Sequence, residues 1–186
     1  LVIISVTNST IFDDISLCKE IRSCLGTVKI ALKGAIFFKP RPEIYEQLNL
    51  ESVDFLVGGE IEFIIEKLVR AVHNPSPKIL SKIPSISYKK NQKWISTFFE
   101  EWSHEGDKIP FPDRSSINNK LYLRPDSGKP IATIATSRGC GAKCTYCLTP
   151  IISGTRIRYR SPQSIFEEIK ECYFAHGIKD FFFKSD

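Results

Sequence analysis

Three cysteines lie close together in the second half of the chain, with the spacing of a metal-binding loop. Cys140, Cys144 and Cys147 form the pattern C-x3-C-x2-C. Thiolates are the usual protein ligands of iron–sulfur clusters. Three of them can hold three irons of a four-iron cluster and leave the fourth iron open to a substrate or cofactor. The spacing therefore predicts a cluster that takes part in chemistry as well as carrying electrons.

The residues just before and around the first cysteine are suited to position such a loop. Gly139 and Gly141 flank Cys140, and we expect both to allow a tight turn in which backbone N–H groups approach the cluster sulfurs. The short, β-branched run 131–136 predicts a buried strand that ends at the loop. Ligand sites commonly lie at that end of parallel strands.

The segment after the loop predicts a helix and a second strand. Ser161 is a good N-cap before Pro162, and Gly177 marks the end of the helix. The bulky apolar run 181–183 then predicts a second buried strand. The order strand, loop, helix, strand is that of the first part of a parallel βα barrel.

The cysteine run resembles the cluster-binding loop of the radical S-adenosylmethionine superfamily. The resemblance implies a [4Fe–4S] cluster held by the three cysteines, with S-adenosylmethionine chelated by the open iron. Reductive cleavage of that cofactor would then give a 5′-deoxyadenosyl radical. The resemblance also implies that Tyr146 contacts the adenine, and that Ser185 and Asp186 hold the methionine part of the cofactor. It assigns no catalytic side chain, and the Gly-Gly-Glu sequence usual near Ser185 is absent.

Two other uses of the thiols remain open at this point. A non-catalytic zinc-binding module would need a fourth ligand, and the nearest candidates, Cys172 and His176, lie along the predicted helix. Disulfides would need an oxidising compartment. The visible chain has nothing like a secretory signal, and its Lys-rich and Ile-rich composition is typical of a cytoplasmic protein.

The charge around the cysteines favours an anionic ligand. Between residues 131 and 166 there are five basic residues and no acidic one: Arg138, Lys143, Arg156, Arg158 and Arg160. The last three could instead form one solvated face of an alternating strand. The net charge of +5 for the whole chain is too mild and too dispersed to require a nucleic-acid partner.

The first third of the chain alternates strand and helix patterns, which predicts a doubly wound, Rossmann-like parallel sheet. The predicted strands cover 1–6, 28–38 with a break at Lys33-Gly34, and 53–57, and the predicted helices cover 13–25, 43–48 and 61–72. We therefore place an α/β domain at 1–73, a proline-rich connector at 74–130 and the start of a barrel domain at 131–186.

The turns after these strands resemble those of the cobalamin-binding domain that precedes the barrel in one branch of radical enzymes. That resemblance implies a cobalamin site at the C-terminal edge of the sheet, formed by Ser5, Thr7, Gly34, Ala35, Gly58, Gly59 and Glu60. Glycine turns are also common in any parallel sheet, so a purely structural use of the glycines stays open.

The connector holds seven of the eleven prolines, and we expect little regular structure in it. Its segment 109–112 resembles the Leu-Pro-x-Pro segment found before the barrel in cobalamin-linked radical enzymes. The aromatic residues near its centre recur at nearly helical spacing and predict a short helix. They are Trp94, Phe98, Phe99 and Trp102.

Together these patterns predict a cobalamin-dependent radical enzyme, a transferase or oxidoreductase that modifies an unactivated carbon by methyl transfer, rearrangement or cyclisation. The expected partners are a small-molecule or natural-product substrate and an electron donor such as flavodoxin or ferredoxin. No run is long enough to cross a membrane. The chain contains no methionine, so we expect a fragment of a longer protein that is inactive alone.

A methylthiotransferase acting on tRNA or a ribosomal protein is the alternative enzyme, because the run 144–150 also resembles the loop of that family. Its members carry further cluster cysteines in the front domain. Here the corresponding places hold Asn8-Ser9-Thr10 and Lys33-Gly34.

Overall fold

The structure is a computed structural model that describes residues 1–39, 41–73, 76–99, 102 and 105–186. It divides into two compact units, Leu1–Glu101 and Trp102–Asp186, and each is considered by itself below. Within these residues, none of the helices combines the length and the apolar character needed to span a bilayer.

The first unit is a five-stranded mixed sheet with helices between its strands. The strands are β1 (Val2–Ser5), β2 (Ile30–Lys33), β3 (Phe55–Val57), β4 (Ile86–Lys90) and β5 (Lys93–Ser96), in that spatial order. The first three are parallel, whereas β4 and β5 are antiparallel to their neighbours. The helices are α1 (Ile11–Leu25), α2 (Pro42–Gln47), α3 (Ile61–His73) and α4 (Pro77–Leu80). The predicted mixed α/β fold with a parallel sheet is therefore present.

Helices cover both faces of this sheet, because successive strand residues point to opposite sides. Ile15 of α1 belongs to one buried cluster with Leu32 of β2. Ala31, the neighbour of Leu32, belongs to a second cluster with Leu68 of α3. The central strands β2 and β3 thus contribute apolar side chains to two separate cores.

The part of the chain predicted as a connector differs from that prediction, because β4 and β5 form a hairpin in the sheet. Trp94 lies on β5, so the aromatic spacing does not form the helix that we predicted. Asn91 and Gln92 join the strands with φ of 50° and 62°. Positive φ at both central residues is the mark of the tight turn whose twist matches a hairpin.

An ion cluster ties the end of α1 to the sheet. The carboxylate of Asp54 accepts hydrogen bonds from the Arg22 guanidinium, from Lys29 Nζ at 2.8 Å and from the Ile30 N–H at 3.0 Å. Burial acts to raise the pKa of Asp54, but the hydrogen bonds from these groups outweigh it, and the pKa lies below the usual value.

The second unit contains the strand, loop, helix and strand that the sequence predicted. Its strands are β6 (Ile131–Ala135), β7 (Ser137–Arg138), β8 (Arg158–Tyr159) and β9 (Asp180–Lys184), and its helices are α5 (Thr149–Ile152) and α6 (Pro162–His176). β6 pairs with β9 in parallel, and β7 pairs with β8 antiparallel. The Ser161 side chain caps α6 by accepting a hydrogen bond from the Ser164 N–H, and Gly177 ends the helix at φ 66°. α6 packs on β6 through Ile134, Cys172 and Ile178.

Candidate metal centre and cofactor edge

The cysteine loop runs from the end of β7 to α5, beyond the C-terminal end of β6. Cys140 and Cys147 are half-buried and Cys144 is exposed, and all three are free thiols. Across the described ranges, no three His, Cys, Asp or Glu side chains are gathered closely enough to hold a metal ion. The structure thus places the three thiols on one short loop without bringing their side chains to a common centre.

The base of the loop is held firmly by the segment that follows it. Cys140 N–H donates to the Gly154 carbonyl at 3.0 Å. Gly139 has φ 94°, and a Cβ there would collide with the Arg156 carbonyl oxygen. Gly141 differs from our expectation, because its φ is outside the left-handed region and a Cβ there would lie an ordinary 3.6 Å from the nearest atom, a carbonyl oxygen. Only the first of the two glycines is therefore required by the turn.

Cys147 already lies in surroundings that favour its thiolate. Thr149 N–H lies 3.5 Å from Cys147 Sγ. Hydrogen bonds from the side chain and backbone of Thr149 hold the pKa of the Cys147 thiol below its usual value. The thiolate is the form that binds metal, so this thiol is prepared to act as a ligand.

Of the residues predicted to contact S-adenosylmethionine, Tyr146 lies within the loop and Asp186 lies against its base. The Asp186 carboxylate, just past β9, accepts a hydrogen bond from Gly139 N–H at 3.2 Å. Tyr146, at 88% exposure, presents its ring to solvent within the loop, and Ser185 is exposed beside Asp186. The pairing of β6 with β9 is what brings Asp186 beside a loop that is more than forty positions earlier in the chain.

The donor set fits an iron–sulfur cluster better than zinc. It offers three free thiols on one loop and leaves one position for another ligand. Cys172 lies on α6 and is fully buried in the core between this helix and β6. The Nε2 atom of His176 lies 3.8 Å from the Oε1 atom of Glu171. Neither of the two residues considered as a fourth zinc ligand is therefore placed for that role.

Two of the arginines after the loop are buried, which contradicts their placement on a solvated strand face. Arg158 and Arg160 are only 6% and 8% exposed. Arg160 pairs with Glu168, a residue that the sequence reasoning missed and that is 1% exposed. Its position was the available clue, because Glu168 lies within the apolar stripe that Ile165 and Cys172 define on α6.

The residues predicted for cobalamin are brought together at one edge of the first sheet. β1, β2 and β3 run parallel, so Ser5 at the end of β1 and Gly34 and Gly58 directly after β2 and β3 lie on the same side of the sheet. Ser5 and Thr7 are exposed, Ala35 begins a short 3-10 turn, and Glu60 is half-buried before α3.

The three glycines at this edge have a structural reason of their own. A Cβ on Gly34 would lie 2.6 Å from the Val6 carbonyl oxygen, and one on Gly58 would collide with the Phe37 carbonyl oxygen. A Cβ on Gly59 would lie 2.7 Å from a side-chain atom of α3. Gly34 itself is extended, with φ −178°. Close approach of neighbouring backbone thus accounts for Gly34 and Gly58, whereas a Cβ on Gly59 would meet side-chain atoms only.

Known proteins match this chain over most of its length. No protein-family profile matches it. An uncharacterized methyltransferase of Pyrococcus horikoshii is 27% identical over 184 residues, which cover 98% of this chain and 39% of that protein. The anaerobic magnesium-protoporphyrin IX monomethyl ester cyclase of Synechocystis is 28% identical over 153 residues, covering 82% of this chain and 29% of that protein.

A solved structure has the same fold as this chain. The structure of the radical S-adenosylmethionine methyltransferase TsrM from Kitasatospora setae, with cobalamin and a [4Fe–4S] cluster bound, superposes with a TM-score of 0.71. The match covers 99% of this chain and 37% of that chain, at 18% identity. The chain therefore shares its fold with a radical S-adenosylmethionine methyltransferase.

Methylthiotransferases also match this chain. The ribosomal protein uS12 methylthiotransferase RimO of Clostridium novyi is 35% identical over 112 residues, covering 56% of this chain and 24% of that protein. In each of these comparisons the chain spans well under half of the relative's length.

Proposed function

We propose that the protein is a cobalamin-dependent radical enzyme that cleaves S-adenosylmethionine reductively at a [4Fe–4S] cluster. The observation that carries this proposal is the loop of three free thiols at the C-terminal end of β6. When bound, the reduced cluster supplies the electron that converts S-adenosylmethionine into methionine and a 5′-deoxyadenosyl radical.

The protein's own residues would bind and orient the groups that react. Cys140, Cys144 and Cys147 would hold the metal, and the lowered pKa of Cys147 favours the ligand form. The exposed ring of Tyr146 would stack on the adenine. Asp186, fixed to the loop through Gly139 N–H, would accept hydrogen bonds from the methionine end of the cofactor, with Ser185 beside it.

The edge of the first sheet would bind cobalamin. Ser5, Thr7, Ala35 and Glu60 would supply contacts there, while the glycines keep the neighbouring loops close. This role is supported by the shared fold with TsrM, whose structure contains cobalamin. Among methyl transfer, rearrangement and cyclisation we favour methyl transfer, because both the Pyrococcus relative and TsrM are named methyltransferases.

The substrate that we propose is a small molecule, and the electron donor a flavodoxin or ferredoxin. The named substrate of the Synechocystis cyclase is a small molecule, which supports this class. Buried pairing of Arg160 with Glu168 removes one cation from the basic segment, which weakens any argument for a nucleic-acid surface there.

A methylthiotransferase is the second candidate, favoured by the match to RimO. At the two places in the front unit where this function would need additional cluster cysteines, the chain has Asn8-Ser9-Thr10 and Lys33-Gly34. At one of the two expected places, Thr7, Ser9 and Thr10 form a hydroxyl cluster with oxygen separations of 2.9 Å. Hydroxyl groups are poor ligands for iron–sulfur clusters, which are held by thiolates.

The test uses the full-length protein reconstituted without oxygen. Iron, sulfide and cobalt are measured, and 5′-deoxyadenosine and S-adenosylhomocysteine are quantified after reduction. We expect about four irons, about four sulfides and one cobalamin per chain. We also expect one of the two products. Iron and sulfide without cobalamin would favour the methylthiotransferase, and zinc without sulfide would refute both enzymes.

A further inference from the structure

Glu168 is the most deeply buried charged side chain among the described residues, and two arginines surround it. It is 1% exposed, in the middle of α6. Arg114 Nη2 donates to one carboxylate oxygen at 2.7 Å, and Arg160 Nη1 donates to the other. Arg114 comes from the proline-rich segment and Arg160 from the residue after β8. One carboxylate therefore joins three separate parts of the second unit.

The same two guanidinium groups also hold the strand that leads to the cysteines. Arg114 donates to the Thr133 carbonyl at 3.2 Å, and Arg160 donates to the Ala135 carbonyl at 2.9 Å. Both carbonyls belong to β6, and Ala135 comes five positions before Cys140. The backbone N–H of Arg160 adds a bond to the Thr136 carbonyl at 2.9 Å.

Burying these three charged groups costs desolvation free energy, and their hydrogen bonds require a specific geometry. A carboxylate removed from water is stable only when its oxygens are fully paired, and Arg offers fixed, planar donors that set direction as well as charge. The three groups together carry one net positive charge, since two guanidinium groups face one carboxylate. Arg160 also lies over the Phe111 ring, 5.1 Å from its centre, which limits its movement further.

We propose that Glu168 is a positioning residue for the cysteine loop. By fixing Arg114 and Arg160, it holds the carbonyls of Thr133 and Ala135 in β6 and the segment that begins at Arg160. The base of the cysteine loop is thereby kept in the geometry that the bound cluster and S-adenosylmethionine require. The net positive charge beneath the strand end favours the anionic thiolate cluster. The inference rests on the proposed function for its chemical readout, although the contacts themselves do not.

The test compares three variants of the full-length protein. Glu168→Gln removes the charge and keeps the shape. Cys172→Ala is the matched control for lost core stability, because Cys172 is fully buried on the same helix and belongs to the core that packs against β6. Glu167→Gln is the control for lost charge, because Glu167 pairs with Lys170 at 2.9 Å on the solvent side of α6.

The readouts are thermal unfolding, iron and sulfide content, the electron paramagnetic resonance spectrum of the reduced cluster with and without S-adenosylmethionine, and product formed per cluster. For Glu168→Gln we expect a spectrum whose response to S-adenosylmethionine is altered, and activity per cluster lower by about tenfold or more. Both controls should keep the wild-type spectrum and activity per cluster. A Glu168→Gln variant that loses activity only in proportion to its unfolding, like Cys172→Ala, would overturn the inference.

Hydrogen exchange separates failure of this inference from failure of the proposed function. The amides of Cys140 and Arg160 should exchange faster in Glu168→Gln than in Cys172→Ala, whether or not a cluster is present. Wild-type protein without iron and sulfide would refute the proposed function, and the exchange rates alone would then decide on Glu168. Should Glu168→Gln fail to fold, Arg160→Lys keeps the charge and loses the planar donors, and is judged by the same comparisons.

Discussion

The three loop thiols can be tested as a set against another thiol of the same chain. Replacing Cys140, Cys144 and Cys147 together by alanine should abolish iron and sulfide binding and the brown colour of the anaerobic protein, because no other cysteine lies on the loop. Cys24→Ala is the control, since Cys24 is also exposed but lies on α1. Equal iron in the two variants would refute the assignment of the metal.

The two glycines beside Cys140 give a second test on single residues, because only Gly139 has a backbone φ that other residues rarely adopt. Gly139→Ala introduces a Cβ at φ 94° against the Arg156 carbonyl, so we expect a loss of about 2 kcal/mol in unfolding free energy and poor cluster loading. Gly141→Ala should leave both unchanged, since its Cβ would meet only an ordinary contact. Chemical denaturation and iron content are the measurements, and identical behaviour of the variants would contradict the loop geometry.

Single residues also mark the limit of what the pattern could predict. The placement of the thiols on one loop and the need for Gly139 follow from spacing, because the loop is local in sequence. The burial of Glu168 does not, because its partner Arg114 is 54 positions away and a glutamate on a helix is usually exposed. The position of Asp186 beside Gly139 likewise depends on a strand pairing and not on any local pattern.

Among the elements, the β4–β5 hairpin offers a direct test of its turn. Asn91 and Gln92 both have positive φ, and glycine at the second position removes the steric cost of that conformation. Gln92→Gly should therefore stabilise the protein by about 0.5–1 kcal/mol in urea unfolding. Lys93→Gly, one residue further on and inside β5, should destabilise it. Destabilisation by Gln92→Gly would mean that the turn has another geometry.

The junction of α1, β2 and β3 has a pH dependence that follows from Asp54. Its pKa is lower in the folded protein than the value of about 4 in an unfolded chain, so its contribution is complete above that pH and is lost as the pH falls through the folded pKa. Asp54→Asn should cost about 2 kcal/mol at pH 6 and progressively less below pH 4.

Urea unfolding of the wild type and the Asp54→Asn variant at several pH values measures this difference. Glu66→Gln serves as the control, because Glu66 and Arg70 form an exposed pair on α3 and should contribute nothing measurable. A constant difference between wild type and Asp54→Asn down to pH 2 would refute the pairing.

Helices and strands were predictable where the apolar residues followed one period, and ambiguous where their spacing fitted both a helix and a strand. The parallel strands and the helices α1 and α3 follow from apolar runs and stripes that are unambiguous in period. The hairpin was missed because Trp94 and Phe98 are four positions apart, which is also the spacing of a helix. Trp94 is instead placed by the antiparallel pairing of β5 with β4, a contact that local periodicity does not encode.

For the molecule as a whole, the two units predict that the two cofactors load independently. The full-length variant without the three loop cysteines should lose its iron and keep its cobalamin, because the residues proposed for cobalamin all lie in the first unit. Cobalt analysis and the visible spectrum of bound cobalamin measure this. Loss of both cofactors together would contradict independent loading and would show that cobalamin depends on the cluster loop.

The pairing of β6 with β9 has a consequence for biosynthesis. Ile131 pairs with Asp180, about fifty residues later, and Asp186 follows that strand. During translation the thiols of the intervening loop are made before the strand that orders them. At roughly 5–20 residues per second, a few seconds separate the synthesis of the loop from that of the strand. We therefore expect iron delivery to follow completion of β9, and the unligated thiols to be open to oxidation until then.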